Sequence, residues 1–126
     1  MDTIKINNTE DTPRVILDAD NEVFEISGMS LPEDVNLFFE PVLSWLDDYS
    51  KKPNSETIFC FKLTYFNTAS SKLLLDILFK LEEMFEDGHT VKVHWYYPED
   101  DEDMRESGEE YSELVDLPFE LIGYES

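Results

Sequence analysis

At the centre of the chain, Ile58-Phe59-Cys60-Phe61-Lys62-Leu63-Thr64-Tyr65-Phe66 runs directly into Asn67-Thr68-Ala69-Ser70-Ser71. The first segment is rich in aromatic and apolar residues, which predicts a strand from Thr57 to Phe66. The residues after the polar segment repeat apolar side chains at helical spacing. We therefore predict a strand that turns directly into a helix, with three hydroxyl side chains at the turn.

Four further segments have the composition and spacing of strands. They are Arg14–Asp18, Glu22–Ser27, Thr90–Tyr97 and Phe119–Ile122. The first two flank a short polar turn and are expected to pair antiparallel. Two more helices are predicted, one after a capping box at Ser30-Leu31-Pro32-Glu33 and one from about Asp100 to Glu113.

The faces of the strands indicate how the layers are arranged. In the central strand Phe59, Phe61 and Leu63 point one way, whereas Cys60 and Lys62 point the other way. One face of the sheet is therefore apolar and the other is mixed. This pattern predicts an α/β fold in which helices pack mainly on one face of a mixed sheet, with helix-linked strands parallel.

Charge and cysteine content limit the classes of function. The 126 residues include 30 Asp and Glu but only 9 Lys and Arg, which gives a formal net charge of −21 at pH 7. This charge opposes binding to nucleic acid and to anionic membranes, and it favours partners with basic surfaces. Cys60 is the single cysteine, so disulfides within one chain are excluded. Without a signal-peptide pattern or an apolar run of membrane-spanning length, we expect a cytoplasmic protein.

The sequence contains no recognisable catalytic or metal-binding motif. Gly-x-Ser-x-Gly, P-loop and zinc motifs are absent, and His89 and His94 have no companion at metal spacing. The acidic segment Glu99–Glu113 lacks the pattern of an EF-hand loop. We therefore expect no metal, no cofactor and no enzymatic activity. The acidic segment is interpreted as a solvated helix face or as a surface that attracts a basic partner.

The hydroxyl turn is the main candidate for a functional site. The first N–H groups of a helix are unpaired and its N-terminus is partially positive, so an anion on Thr68, Ser70 or Ser71 is favoured there. This indicates a phosphorylation switch, in which Lys72 either helps to neutralise the phosphate or is only solvated. The alternative is that Asn67, Thr68 and Ser70 simply cap the helix.

A second loop is expected beside this turn. Trp95-Tyr96-Tyr97-Pro98 ends the next predicted strand, and functional groups of α/β sheets collect beyond the carboxyl ends of parallel strands. We predict that Trp95 is mostly buried and that Tyr96 and Tyr97 reach towards the hydroxyl turn. The two loops would then form one surface.

The chain resembles the SiaC family of bacterial regulatory phosphoproteins. The resemblance covers nearly the whole chain and is carried by Phe66-Asn67-Thr68-Ala69-Ser70-Ser71-Lys72-Leu73-Leu74-Leu75, Trp95-Tyr96-Tyr97, the acidic Glu99 to Asp103, and Leu117-Pro118-Phe119-Glu120. The family is distantly similar to STAS-type anti-sigma-factor antagonists. The resemblance therefore implies a single STAS-like regulatory domain over residues 1–126.

The resemblance also implies a mechanism of signalling. In such proteins a Ser or Thr at a strand-to-helix turn is phosphorylated by a dedicated kinase of the histidine-kinase ATPase type and restored by a PP2C-type phosphatase. In the best-understood branch the unphosphorylated form binds and activates a diguanylate cyclase. The match at Asn67-Thr68-Ala69-Ser70 makes Thr68 the expected phosphosite. The residues expected to contact partners are Asn67, Ser70, Ser71, Lys72, Tyr96 and Tyr97.

Two other functions remain open at this point. The first is a constitutive acidic adaptor in which Thr68 only caps a helix. The second is an enzyme that uses Thr68 or Ser70. The sequence also leaves open whether Ser70 or Ser71 is modified instead of Thr68, and no motif identifies the downstream effector.

Overall fold

The computed structural model describes residues 2–125, which form one mixed sheet and three helices. The strands are β1 (Ile4–Ile6), β2 (Arg14–Asp18), β3 (Val23–Ser30), β4 (Glu56–Phe66), β5 (Thr90–Pro98) and β6 (Phe119–Tyr124). The helices are α1 (Val35–Lys51), α2 (Thr68–Glu86) and α3 (Glu102–Leu114). Within the described residues, no helix combines the length and the apolar character needed to span a bilayer.

The strands lie in the sheet in the order in which they occur in the chain. The order is β1-β2-β3-β4-β5-β6, with β1, β2 and β3 antiparallel and β3 to β6 parallel. Each parallel connection runs through one helix. The predicted antiparallel first pair and the parallel, helix-linked strands are confirmed.

All three helices pack on one face of the sheet. The largest fully buried side chains on that side include Trp95, Tyr49, Phe24, Phe39, Phe59 and Phe61. Phe24 of β3 contacts the stacked rings of Trp45 and Tyr49 from α1. The opposite surface carries Cys60 and His94 and is called the helix-free face below. The predicted fold class, an α/β fold with helices on one face of a mixed sheet, is confirmed.

The close approach of α3 to the sheet depends on Gly108. A Cβ at this position would collide with the indole of Trp95 and lie 2.6 Å from Cδ2 of Leu121. The same indole donates a hydrogen bond from Nε1 to the carbonyl oxygen of Met104, at 3.0 Å. Trp95 is thus fully buried, as predicted, and holds α3 through both packing and a hydrogen bond.

The predicted capping box at Ser30-Leu31-Pro32-Glu33 is wrong. Strand β3 continues through Ser30, which pairs with Phe66 of β4. Helix α1 begins at Val35, and the side chain of Asp34 accepts the capping hydrogen bond from the Leu37 N–H. Pairing with β4 therefore prevails at Ser30 over the local capping pattern.

Candidate functional site

Thr68 lies at the junction between β4 and α2. It is the first residue of α2 and is exposed to solvent. The N-cap is Asn67, whose side-chain Oδ1 accepts a hydrogen bond from the Ser70 N–H at 2.8 Å. Among the hydrogen bonds of residues 2–125, none involves the Thr68 hydroxyl. The capping role is thus filled by Asn67, and the hydroxyl of Thr68 is left available.

Ser70 occupies the interior instead of the surface. Its side chain is fully buried, and its Oγ lies 2.8 Å from Oγ of Ser30 and donates to the Ser30 carbonyl oxygen at 3.0 Å. Both hydroxyls therefore have partners within the protein. The prediction that Ser70 contacts a partner protein does not fit this geometry, because its side chain cannot be reached without opening the turn.

Ser71 and Lys72 line a groove between α2 and α3. The groove has a volume of about 250 Å³ and is lined by Phe66, Ser71, Lys72, Leu75, Ser107, Glu110, Tyr111 and Leu114. The Tyr111 hydroxyl donates to the Ser71 carbonyl oxygen at 2.9 Å, which links the two helices. Leu114, one of the lining residues, is 59% exposed. The sequence pattern identified Ser71 and Lys72, but it missed the contribution of α3.

The Ser71 side chain is engaged locally. Its Oγ donates to the carbonyl oxygen of Thr68 at 2.6 Å, and the side chain is only partly exposed. A phosphate on Ser71 would require this bond to break. Of the three hydroxyls at the turn, Thr68 is therefore the one that needs no rearrangement before modification.

The two aromatic residues at the end of β5 divide between the faces of the sheet. β4 and β5 are adjacent and parallel, so the two loops do lie at one edge of the sheet, as predicted. Tyr97 shares the helix side and is packed against the core. Tyr96 is on the helix-free face, where Nζ of Lys62 lies 5.9 Å from its ring centroid. The predicted surface of Tyr96 with Thr68 is thus not formed, because successive strand residues point to opposite faces.

The N-termini of α2 and α3 lie at the same edge of the sheet but differ in charge. Five consecutive acids, Glu99 to Asp103, span the start of α3, and two of them, Glu102 and Asp103, lie in its first turn. The first turn of α2 contains no acid. Acids in the first turn of a helix compensate the positive end of its dipole. This compensation is present at α3 and missing at α2, beside Thr68.

Burial changes the acidity of the tyrosine that joins the two helices. The pKa of the Tyr111 hydroxyl is raised well above its ordinary value of 10.0, mainly because burial disfavours the charged form. The hydroxyl is therefore a neutral hydrogen-bond donor at physiological pH. Within the described part of the chain, no group of three or more His, Cys, Asp or Glu side chains is arranged to hold a metal ion.

Comparison with known proteins finds a family whose model matches nearly the whole chain. The model of a family described as "SiaC family regulatory phosphoprotein" matches residues 6–124. A curated protein of Pseudomonas aeruginosa strain UCBPP-PA14, described as uncharacterized, is 29% identical over 125 residues, covering 99% of each chain.

Solved structures of similar proteins agree with the fold. Apo-SiaC from P. aeruginosa is 30% identical with a TM-score of 0.88, and the match covers 97% of this chain and 99% of that one. A chain from the crystal structure of the diguanylate cyclase SiaD in complex with its activator SiaC, also from P. aeruginosa, has a TM-score of 0.91 at 29% identity. That match covers 96% of this chain and 99% of the other.

Proposed function

Because this chain belongs to the SiaC family of regulatory phosphoproteins, we propose that it is a non-enzymatic signalling switch that is phosphorylated on Thr68. The observation that carries the proposal is the position of Thr68, exposed at the first residue of a helix whose first turn contains no acid. In a chain with 30 acids, this helix end is left without its usual negative compensation. A phosphate on Thr68 would supply this negative charge.

The geometry of the turn supports Thr68 over its neighbours. Ser70 is fully buried and bonded to Ser30, and the Ser71 hydroxyl is bonded to a main-chain carbonyl. A kinase needs the target hydroxyl to reach the γ-phosphate of ATP, so an exposed hydroxyl without an internal partner is favoured.

The same geometry argues against the hypothesis of a constitutive adaptor in which Thr68 only caps the helix. Asn67 already provides the capping acceptor, so the hydroxyl of Thr68 has no structural task at the turn. The switch mechanism explains an exposed hydroxyl at this position, whereas the adaptor hypothesis does not require one.

The partners that fit this mechanism are those of the family. We propose a kinase of the histidine-kinase ATPase type that modifies Thr68, and a PP2C-type phosphatase that restores the hydroxyl. The effector of the unmodified form is proposed to be a diguanylate cyclase, in line with the SiaC relative that is an activator of the diguanylate cyclase SiaD.

The groove between α2 and α3 offers a physical reason for the switch. Its lining includes Ser71 and Lys72, which follow Thr68 in the first turns of α2, and the exposed Leu114, which offers a docking effector an apolar contact. Phosphorylation adds about −1.5 to −2 charges and three acceptor oxygens at pH 7. A phosphate on Thr68 would therefore add charge and bulk at the start of α2 and hinder a tightly packed interface there, so the unmodified form binds and the phosphorylated form is released.

The test is phosphorylation with the cognate kinase and ATP, followed by mass spectrometry of the intact protein and of its peptides. One phosphate on Thr68 is expected, and Thr68→Ala should abolish it while Ser71→Ala, the matched control, should keep it. Thr68→Ala should also still bind the effector in the presence of kinase and ATP. Effector binding that is insensitive to kinase treatment, with no phosphate on the protein, would support the constitutive adaptor instead.

A further inference from the structure

Lys72 lies one helical turn after Thr68 in α2. The two residues are four positions apart, so their side chains project from the same face of the helix with Cβ atoms about 5–6 Å apart. Both residues are exposed. A lysine carries its ammonium group on a flexible four-carbon stem, which is long enough for Lys72 to reach an anion on the Thr68 hydroxyl.

The other Lys and Arg residues within residues 2–125 are already paired or lie on other surfaces. Lys80 pairs with Asp47 of α1, and Arg105 pairs with Glu109 one turn further along α3. The remaining six lie on β1, β2, the helix-free face and the end of α1: Lys5, Arg14, Lys51, Lys52, Lys62 and Lys92. In this part of the chain, Lys72 is therefore the cation positioned to neutralise a phosphate at the start of α2.

The amino group of Lys72 is free to take a new partner. Among residues 2–125, no carboxylate lies within 4.0 Å of it. Asp76 follows Lys72 by four residues, but a cation on the N-terminal side of the anion is the less favourable order along a helix. A phosphate on Thr68 would stand in the favourable order. It would also carry about −1.5 to −2 charges, so it should attract Lys72 more strongly than Asp76 does.

Lys72 also lines the groove between α2 and α3. The lining contains one other charged side chain, Glu110 of α3. The two formal charges balance while Lys72 remains in the groove. If Lys72 turns towards a phosphate on Thr68, the lining keeps only the negative charge of Glu110. A modification of Thr68 would thus change the electrostatics of a surface that Thr68 itself does not line.

We propose that Lys72 is the internal counter-ion of phosphorylated Thr68, and that its movement from the groove to the phosphate transmits the modification to α3. This role rests on the function proposed above, because it requires a phosphate on Thr68. Phosphorylation then closes an ion pair along α2 and leaves the groove negatively charged. The competing arrangement is a phosphate held only by the free N–H groups at the start of α2, with Lys72 solvated.

The test uses the full chain with phosphothreonine incorporated at position 68 during translation, so that no kinase is needed. ³¹P NMR titration gives the pKa of the second ionisation of the phosphate. An adjacent ammonium favours the doubly charged phosphate, so this pKa should be lower in the wild-type protein than in Lys72→Gln, by at least about 0.2 for an exposed pair at this spacing. Lys72→Arg should restore the lower pKa, and added salt should reduce the difference.

The matched control is Lys52→Gln, which removes the same charge from an exposed position at the end of α1. It should leave the pKa of the phosphate unchanged. Because Lys72 is exposed as well, all of these variants should fold.

Amide NMR spectra test the transmission to α3. Phosphothreonine at position 68 should shift the signals of Ser107 and Glu110, which line the groove from α3, and these shifts should be smaller in Lys72→Gln than in Lys52→Gln. Equal pKa values in the wild-type protein and Lys72→Gln would show that the main chain alone holds the phosphate. Equal shifts on α3 in both variants would show that the groove does not respond to Lys72. Either result overturns the proposal and leaves Thr68 as the phosphosite. Failure of the cognate kinase to modify Thr68 is a separate result, which contradicts the proposed function and does not affect the titration.

Discussion

The side-chain oxygens of Ser30 and Ser70 lie 2.8 Å apart in the protein interior, where they join the end of β3 to the first turn of α2. Ser70→Ala should destabilise the fold by about 1–3 kcal/mol, because it leaves the buried Ser30 groups without their partner. Urea denaturation measures this change in the free energy of unfolding. In a double-mutant cycle with Ser30→Ala, the coupling should be at least about 0.5 kcal/mol. Additive losses would show that the pair is not an energetic unit.

The N-cap and the proposed phosphosite should separate in stability measurements. Asn67→Ala removes the acceptor for the Ser70 N–H and should cost about 0.5–2 kcal/mol. Thr68→Ala removes an exposed hydroxyl and should change the free energy of unfolding by less than about 0.5 kcal/mol. Chemical denaturation of the two variants side by side gives the comparison. A larger loss of stability for Thr68→Ala than for Asn67→Ala would show that Thr68 provides the helix cap.

Gly108→Ala should be destabilising even though alanine favours helices. On an open helix surface this change would stabilise by up to about 1 kcal/mol. At α3 the new Cβ would collide with the Trp95 indole, and we expect a loss of about 1–3 kcal/mol. Thermal unfolding followed by tryptophan fluorescence measures this loss of stability. The control is Glu106→Ala, at an exposed position of the same helix. A stabilised Gly108→Ala variant would mean that α3 is not held against the sheet.

Tyr111 should make the fold sensitive to alkali. Its pKa is raised in the folded state, so above pH 10 the unfolded chain releases the phenol proton more readily than the folded protein does. The contribution of this group to stability is therefore complete below pH 10.0 and is lost as pH rises above that value. Tyr111→Phe should unfold more easily at neutral pH, since the bond to the Ser71 carbonyl is lost, but should lose less further stability above pH 10. Denaturation curves at neutral and alkaline pH test this, and equal slopes for both proteins would contradict it.

The five longer strands, the antiparallel pairing of the first two and the parallel direction of the helix-linked strands could be predicted because they depend on local patterns and on the connections between strands. Alternation in Thr57–Phe66 and the helical repeat after it survive in the structure almost unchanged. The edge strand β1 has only three residues, too few for a pattern to show. The site was predicted in part: Thr68 is exposed at a helix N-terminus, but the burial of Ser70 was missed. Ser70 and its partner Ser30 are 40 residues apart, and only parallel pairing of β3 with β4 brings them together.

The groove between α2 and α3 could not be predicted from the sequence, for a related reason. Tyr111 and Leu114 belong to a helix whose surface is mostly charged, and nothing in their spacing shows which helix they face. Their placement follows from Gly108, which lets α3 approach the sheet until Trp95 can reach the Met104 carbonyl.

The order of the strands has a consequence for how the chain acquires its shape. Because every strand pairs with the one synthesised just before it, no segment has to wait for a distant stretch of polypeptide. The loops closed at each step are short on the scale of the whole chain, which keeps the entropic cost of each closure low. The sheet can thus grow one strand at a time from the amino terminus while the ribosome is still adding residues.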